Sequence, residues 1–264
     1  MSKNPLVSII MNCHNGEKFL KKSLNSVIKQ TYKNWELIFY DNQSIDKSKE
    51  ILNGFKNKKI KYFRSKKYLK LYEARNFAIK EAKGKYITFL DTDDWWDKNK
   101  LINQILLIEK NNSTLIYTNV WMYNDETKKK YLFCANKEPS GKITQRLLNK
   151  YKVGIITVMV KKEIFRKFKF NNQYQIIGDF DFFTKLSINN NFSYIDKPLT
   201  FYRMHEKNLS KIKLKVYVKE MAHWINKNNK MFRNLGFSIN NQKIFLLKLR
   251  IKIFFFKLLN FLGV

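Results

Sequence analysis

Five short apolar runs, at residues 6–11, 35–40, 60–63, 86–90 and 115–122, alternate with four segments of helical spacing, at 17–30, 46–56, 72–82 and 97–110. Apolar runs of four to eight residues suit buried strands, whereas apolar residues three and four apart form one face of a helix. Phe19, Leu20, Leu24, Val27 and Ile28 carry that second spacing in the first helical segment. Strand and helix in regular turn predict an α/β fold: an open, mainly parallel sheet with helices on both faces.

After about residue 125 the rhythm changes. Short strands are expected at 129–134, 155–161 and 192–202, with a helix at 179–190. Segments 211–233 and 241–262 have helical spacing and no strand between them. The expectation is one α/β domain over residues 1–210, followed by a basic helical tail over 211–264.

In an open α/β sheet, ligands bind beyond the carboxyl ends of the strands. Polar clusters stand at those places. The first strand runs into Asn12-Cys13-His14-Asn15-Gly16, the second into Asp41-Asn42-Gln43-Ser44, and the fourth into Asp91-Thr92-Asp93-Asp94. Three carboxylates within four residues repel one another unless something neutralises them. A hard divalent cation does so, sharing its oxygen shell with substrate phosphates. A helix N-terminus also favours acids, and Asp94 is placed to cap the segment 97–110. That second explanation leaves the meeting of three clusters at one sheet edge unaccounted for.

Charge and composition narrow the function. Hydrophobic residues make up 44% of the chain, which excludes global disorder. Two cysteines, Cys13 and Cys134, are too few for a disulfide framework or a zinc site and fit a reducing compartment. The 52 Lys and Arg against 21 Asp and Glu give a net charge of +31, which attracts nucleic acid, phosphorylated substrates or an anionic membrane. The abundance of Asn, Ile, Phe, Tyr and Lys is also what A+T-rich codons produce without functional selection. The excess is steepest after residue 210, where Glu220 is the only acid. No stretch reads as a signal peptide or as a spanning helix, so the expected place is the cytosol or the cytoplasmic face of the membrane.

Seven motifs in order resemble glycosyltransferase family 2. They are Val7-Ser8-Ile9-Ile10 with Asn15-Gly16; Gln30-Thr31-Tyr32; Asp41-Asn42-Gln43-Ser44-Ile45-Asp46; Ala74-Arg75-Asn76 with Gly84; Leu90-Asp91-Thr92-Asp93-Asp94; Gly178-Asp179-Phe180-Asp181; and Tyr202-Arg203-Met204-His205 with Asn208 and Ser210. The resemblance covers roughly residues 5–210. It implies a GT-A fold, a nucleotide-diphosphate-sugar donor, Mn²⁺ or Mg²⁺, and inversion at the anomeric carbon.

Carried over residue by residue, the resemblance sets Asn12, His14 and Asn15 against the nucleoside, with His14 where the family usually has Tyr. Asp41 and Asn42 correspond to the acidic pair for base and ribose. Asn42 replaces the second acid, yet an amide carbonyl can still accept the imide N–H of uracil, so a UDP-sugar is the first choice. Arg75 is expected to grip phosphate oxygens. Asp93 and Asp94 are expected to hold the metal, and Asp91 to serve the ribose or a metal-bound water. Asp179 corresponds to the catalytic base, with Asp181 in reserve, and Gly178 stands where many members have Glu. Arg203 and His205 are expected over the diphosphate, His205 as a ligand better suited to Mn²⁺ than to Mg²⁺. Trp95 and Trp96 suit either a sugar ring or a core.

In the last segment, Lys243, Arg250 and Lys257 form one stripe and Lys248 and Lys252 another, with apolar arcs between them. One arc is expected on the catalytic domain and the other in an anionic membrane surface, which suits a lipid-linked or cell-envelope glycan acceptor. Packing on protein or on a second copy is the alternative. A nucleic-acid partner is not expected, because no binding module is present and the acidic clusters would have no role. A nucleotidyltransferase would need a glycine-rich basic loop where Asn12-Cys13-His14-Asn15-Gly16 stands. An inactive scaffold remains an alternative on the departures at His14, Asn42 and Gly178.

Overall fold

The computed structural model describes residues 4–261, with the side chains of residues 210, 211 and 256–261 outside the description. The first half alternates as the apolar spacing predicts: β1 (Val7–Cys13), α1 (Glu17–Ile28), β2 (Trp35–Asp41), α2 (Ser48–Asn53), β3 (Ile60–Arg64), α3 (Leu71–Glu81) and β4 (Tyr86–Phe89). Then follow β5 (Trp95–Trp96), α4 (Lys100–Asn111), β6 (Leu115–Asn124), β7 (Lys130–Leu132), α5 (Thr144–Asn149), β8 (Met159–Lys161), α6 (Gly178–Ser187) and β9 (Phe192–Met204). Three helices close the chain: α7 (Leu209–Ile212), α8 (Leu214–Asn234) and α9 (Asn240–Phe261).

The sheet order is β3-β2-β1-β4-β8-β6-β9-β5, with β7 paired to β6. Strands β3, β2, β1 and β4 run parallel. Strand β8 lies antiparallel between β4 and β6, and β6 runs parallel to β9. Successive side chains on a strand face opposite sides. Accordingly Val7, Ile9, Met11 and Cys13 join a core with α1 and α4, while Ile10 joins the core of α3, α6 and α8. At Gly84 a Cβ would stand 2.6 Å from both the Leu6 carbonyl and the Ser8 amide, so only glycine lets β4 start this close to β1.

Three elements depart from the spacing. Trp95 and Trp96 pair with Phe201 and Thr200, a strand too short to show periodicity. Of the strand expected at 155–161, residues 155–157 form a 3-10 turn and only β8 pairs. Helix α5 was not expected and packs on α6 and α9.

The boundary expected at residue 210 does not divide the core. Met221, Trp224, Ile225 and Phe232 of α8 are buried in the same cluster as β4 and α6, joined by Ile239 and Leu246. The Glu220 carboxylate accepts the backbone N–H groups of Gln175, Ile176 and Ile177, so α8 holds the loop that leads into α6. The outer part of α9 keeps Ile244, Leu247, Ile251, Phe254 and Phe255 exposed. The Lys257 side chain and Leu262 lie outside the described residues.

Candidate active site

Strands β1 and β2 end side by side, with Cys13 in register with Asp41. Asp41 is buried, and its carboxylate accepts the Ser44 N–H at 2.8 Å, the Tyr62 hydroxyl at 2.8 Å and an Arg64 N–H at 3.2 Å. A buried charge needs such partners. Asn42 donates from Nδ2 to the Leu69 carbonyl at 2.8 Å, and its Oδ1 accepts the Leu69 N–H at 2.9 Å and the Ser65 hydroxyl at 3.3 Å. An amide oxygen has two lone pairs, and both are used. The expectation that Asn42 reads a uracil is therefore corrected: it pins the segment 65–69 instead.

Asn15 also serves the loop. It sits at φ 54°, a left-handed conformation that Asn tolerates, and its Oδ1 accepts the Ile45 N–H at 2.9 Å. His14 Nδ1 lies 2.9 Å from the Asn42 carbonyl oxygen, so Nδ1 carries the proton. Its exposed ring meets Tyr68 edge-on at 4.8 Å. Tyr68, 60% exposed, adds a second aromatic face beside His14 that no motif had marked. Asn12 is different: neither its Nδ2 nor its Oδ1 finds a partner among the described residues, although both atoms are buried. Buried polar groups are seldom left so, which sets Asn12 apart from the other polar residues of this loop.

The loop 91–94 follows β4 and abuts the β1 loop, where a Cβ on Gly16 would stand 3.1 Å from Thr92. Asp91 accepts from Arg75 Nη2 at 2.9 Å. Arg75 is only 2% exposed and lies among the rings of Tyr72, Phe89 and Phe170. Its guanidinium is turned into the fold towards Asp91, away from the exposed position that the expected grip on phosphate would need. Burial raises the pKa of Asp91, helped by Asp93 and opposed by Arg75.

Asp94 is 1% exposed, and its Oδ1 accepts the backbone N–H of Arg203 at 2.7 Å. Its Oδ2 has no partner among the described residues, and burial pushes the carboxyl well above the usual range. Asp94 therefore ties β9 to the loop through Oδ1, which leaves only the buried Oδ2 for the metal role expected of it. Arg203 is likewise a strut. It donates from Nε to the Asp93 carbonyl at 2.8 Å, pairs with Asp125, and stacks near Phe19 and Trp95. It does not reach out for a diphosphate. Trp96 is buried in the core, and Trp95 lies flat on Phe201 at 4.9 Å.

Asp93 and His205 are left facing each other, Oδ2 to Nε2 at 3.0 Å, with Asp93 the more exposed of the two. Among the described residues no group of three or more acids, histidines or cysteines is arranged to hold a metal. One carboxylate oxygen and one imidazole nitrogen at the loop edge nevertheless fit a divalent ion whose remaining ligands come from a diphosphate.

Asp179 opens α6. Its Oδ1 accepts the Phe180 N–H at 2.8 Å and faces the Tyr72 hydroxyl at 3.2 Å, a hydroxyl that also reaches the Ile176 carbonyl at 3.0 Å. Burial pushes its pKa up to about 6, against the lowering effects of the Phe180 N–H and of Arg75. A carboxylate poised near neutrality suits proton abstraction. Asp179 borders a cavity of about 720 Å³ shared by β6, the segment 149–157, α8 and α9. Asp181 points away: it is buried, accepts the Trp224 indole N–H at 2.9 Å and pairs with Lys185. Its reserve role as base is corrected. Arg75 thus stands between Asp91, which it contacts, and Asp179, which feels its charge, whereas Asp41 is engaged with Tyr62 and Arg64.

Comparison with known proteins follows this geometry. Residues 8–174 match the family described as Glycosyl transferase family 2. Over 215 residues the chain is 34% identical to the Escherichia coli UDP-Glc:alpha-D-GlcNAc-diphosphoundecaprenol beta-1,3-glucosyltransferase WfgD, covering 80% of this chain and 81% of that protein. Over 241 residues it is 30% identical to the glycosyltransferase MJ1057 of Methanocaldococcus jannaschii, covering 87% and 82%. Among solved structures, S. aureus TarS 1-349 in complex with UDP-GlcNAc aligns with a TM-score of 0.68 at 20% identity, over 83% of this chain and 66% of that one. The mannosyltransferase PcManGT from Pyrobaculum calidifontis, in complex with GDP-Man and Mn²⁺, aligns with a TM-score of 0.65 at 12% identity, over 93% and 70%. These two likenesses show the fold, a GT-A-type sheet with flanking helices.

Proposed function

The chain belongs to glycosyltransferase family 2, and on that premise we propose that it is an inverting enzyme that moves a sugar from a UDP-sugar to a hydroxyl of a lipid-linked cell-envelope glycan. The observation that carries this reading is Asp179, a half-buried carboxylate with a pKa of about 6 at the edge of a ligand-sized cavity.

The chemistry follows from that placement. Asp179 takes the proton of the acceptor hydroxyl as its oxygen attacks the anomeric carbon from the side opposite the diphosphate. The bond from the anomeric carbon to the diphosphate breaks, and the nucleoside diphosphate leaves with the electron pair. Tyr72 and the Phe180 N–H orient the carboxylate. Arg75 balances Asp91, so the loop after β4 stays compact while carrying three acids. The unpartnered amide of Asn12 and the paired rings of His14 and Tyr68 support a nucleoside site at this loop. Asp93 and His205 would hold Mn²⁺ or Mg²⁺, which when bound supplies positive charge to the leaving diphosphate.

Names of relatives support the acceptor class, since WfgD is named for a lipid-diphosphate-linked substrate. Among the described residues no helix is long and apolar enough to cross a membrane. Exposed Leu247, Ile251, Phe254 and Phe255 on a helix that also carries Lys248, Arg250 and Lys252 favour peripheral contact with an anionic bilayer on its cytoplasmic face.

The test is turnover of a nucleotide-sugar panel with Mn²⁺ or Mg²⁺, with and without a lipid-linked sugar acceptor. Metal-dependent release of UDP, lost in Asp93→Asn and in Asp179→Asn, is the expected result. Absence of turnover with every donor overturns the reading.

A further inference from the structure

The cavity beside Asp179 has walls of an unexpected kind. Met122, Phe133, Tyr217, Met221 and Phe245 line it, so the helices at the end of the chain supply one side. Its volume of about 720 Å³ lies within the roughly 300–1,000 Å³ typical of small-molecule sites. A glycan alone would call for polar walls. Here the lining is mostly apolar, and the hydroxyl of Tyr151 is buried at the cavity with no partner among the described residues. Tyr151 also packs edge-on against Phe180, the residue after the base, at 5.2 Å.

The mouth gives the direction. Phe245 lines the cavity, is 37% exposed and touches Tyr217 at 5.9 Å. Beyond it α9 continues with exposed Leu247, Ile251 and Phe254. At about 100° per residue these three lie on the face of α9 opposite Phe245, so one face of the helix closes the cavity while the other suits a surface of anionic headgroups.

We propose that α8 and α9 complete a binding site for the lipid chain that carries the acceptor sugar, with the Tyr151 hydroxyl meeting the polar group that joins chain to sugar. This rests on the acceptor class proposed above. The sugar hydroxyl sits at Asp179 and the chain lies against Met221 and Phe245, beneath the helix whose outer face suits the bilayer.

The experiment uses the full chain and one acceptor sugar diphosphate attached to a long polyprenyl chain, to a two-unit prenyl chain or to a methyl group. The expected KM falls at least tenfold from methyl to long chain, in line with the burial of several methylene groups. Phe245→Glu reduces that long-chain advantage towards one, whereas Tyr151→Phe raises KM for all three acceptors alike; Tyr151→Phe keeps the ring, so its result does not depend on a refolded core. Equal KM values across the series in the wild type, with transfer to every acceptor, overturn the lipid site and leave the proposed activity standing. No transfer to any acceptor, together with no UDP release from any donor, overturns the activity and the lipid site with it.

Discussion

A Cβ placed on Gly178 would lie 2.5 Å from the ring of Tyr72. The residue ahead of the base is a glycine because a tyrosine ring fills the space where a side chain would go. The same tyrosine presents its hydroxyl to Asp179 at 3.2 Å. What looks in the sequence like a lost acid is a replacement: the ring that excludes a side chain at position 178 supplies a hydrogen-bond donor to the carboxylate proposed as the base.

Tyr72→Phe keeps the ring and removes the donor. The hydroxyl holds the Asp179 pKa down, so its loss moves the acid limb of kcat/KM to higher pH. The expected fall in kcat at neutral pH is about three- to tenfold. A pH–rate profile checks both, and an unchanged acid limb would count against the contact.

Gly178→Ala should destabilise the fold by about 1–3 kcal/mol, the usual cost of forcing atoms into a packed site. Tyr72 has little room to yield, since its ring stacks on Phe170 at 5.5 Å. Thermal melting measures this, and a wild-type midpoint would show that the ring moves freely.

Asp179→Asn should lower kcat by about 10²–10⁴, the span of general-base effects. Wild-type activity should fade as pH drops through about 6. Stability runs the other way. A carboxyl whose folded pKa is raised stabilises the fold below its unfolded value, and that contribution is lost as pH rises through about 6. The Asn variant should therefore melt above the wild type at pH 7.5, with the gain vanishing near pH 4. Paired melts at the two pH values decide it.

Asp93 and Asp94 are neighbours with different tasks, so their Asn variants should differ. Asp94→Asn keeps an oxygen for the Arg203 N–H and should retain metal-supported turnover within about threefold. Asp93→Asn should lose about a hundredfold and need more Mn²⁺ for half-activation. Metal titration of UDP release separates the two, and equal losses would put both acids on the ion.

Arg75→Met leaves Asp91 without its cation and should cost about 1–2 kcal/mol, less than for a fully buried pair because the Asp91 side chain keeps 33% exposure to water. Chemical denaturation measures it. A large rise in donor KM with no loss of stability would instead restore Arg75 as a phosphate ligand.

The sheet and the place of its ligand edge were legible along the chain. Apolar spacing is local, so β1 to β4 and their helices follow from it within a few residues, and the loops after strands carry their polar residues wherever the strands end. The start of α6 was legible too, through Gly178-Asp179-Phe180-Asp181. Which atoms of those loops remain free was not. Asn42, Asp94, Arg75, Arg203 and Asp181 look like ligand groups in sequence, yet each is engaged by a partner 16 to 109 residues away: Leu69, the Arg203 amide, Asp91, Asp125 and Trp224. A side chain's hydrogen-bonding capacity is a property of its type, but how much is left for a substrate depends on which distant groups the fold brings within 3 Å. For the same reason α8 read only as part of a basic helical tail, since a helix's apolar face shows that it packs and only the tertiary structure decides against what. Sequence periodicity thus determined the layers of this protein, while packing across the sheet decided which of its polar residues still face a substrate.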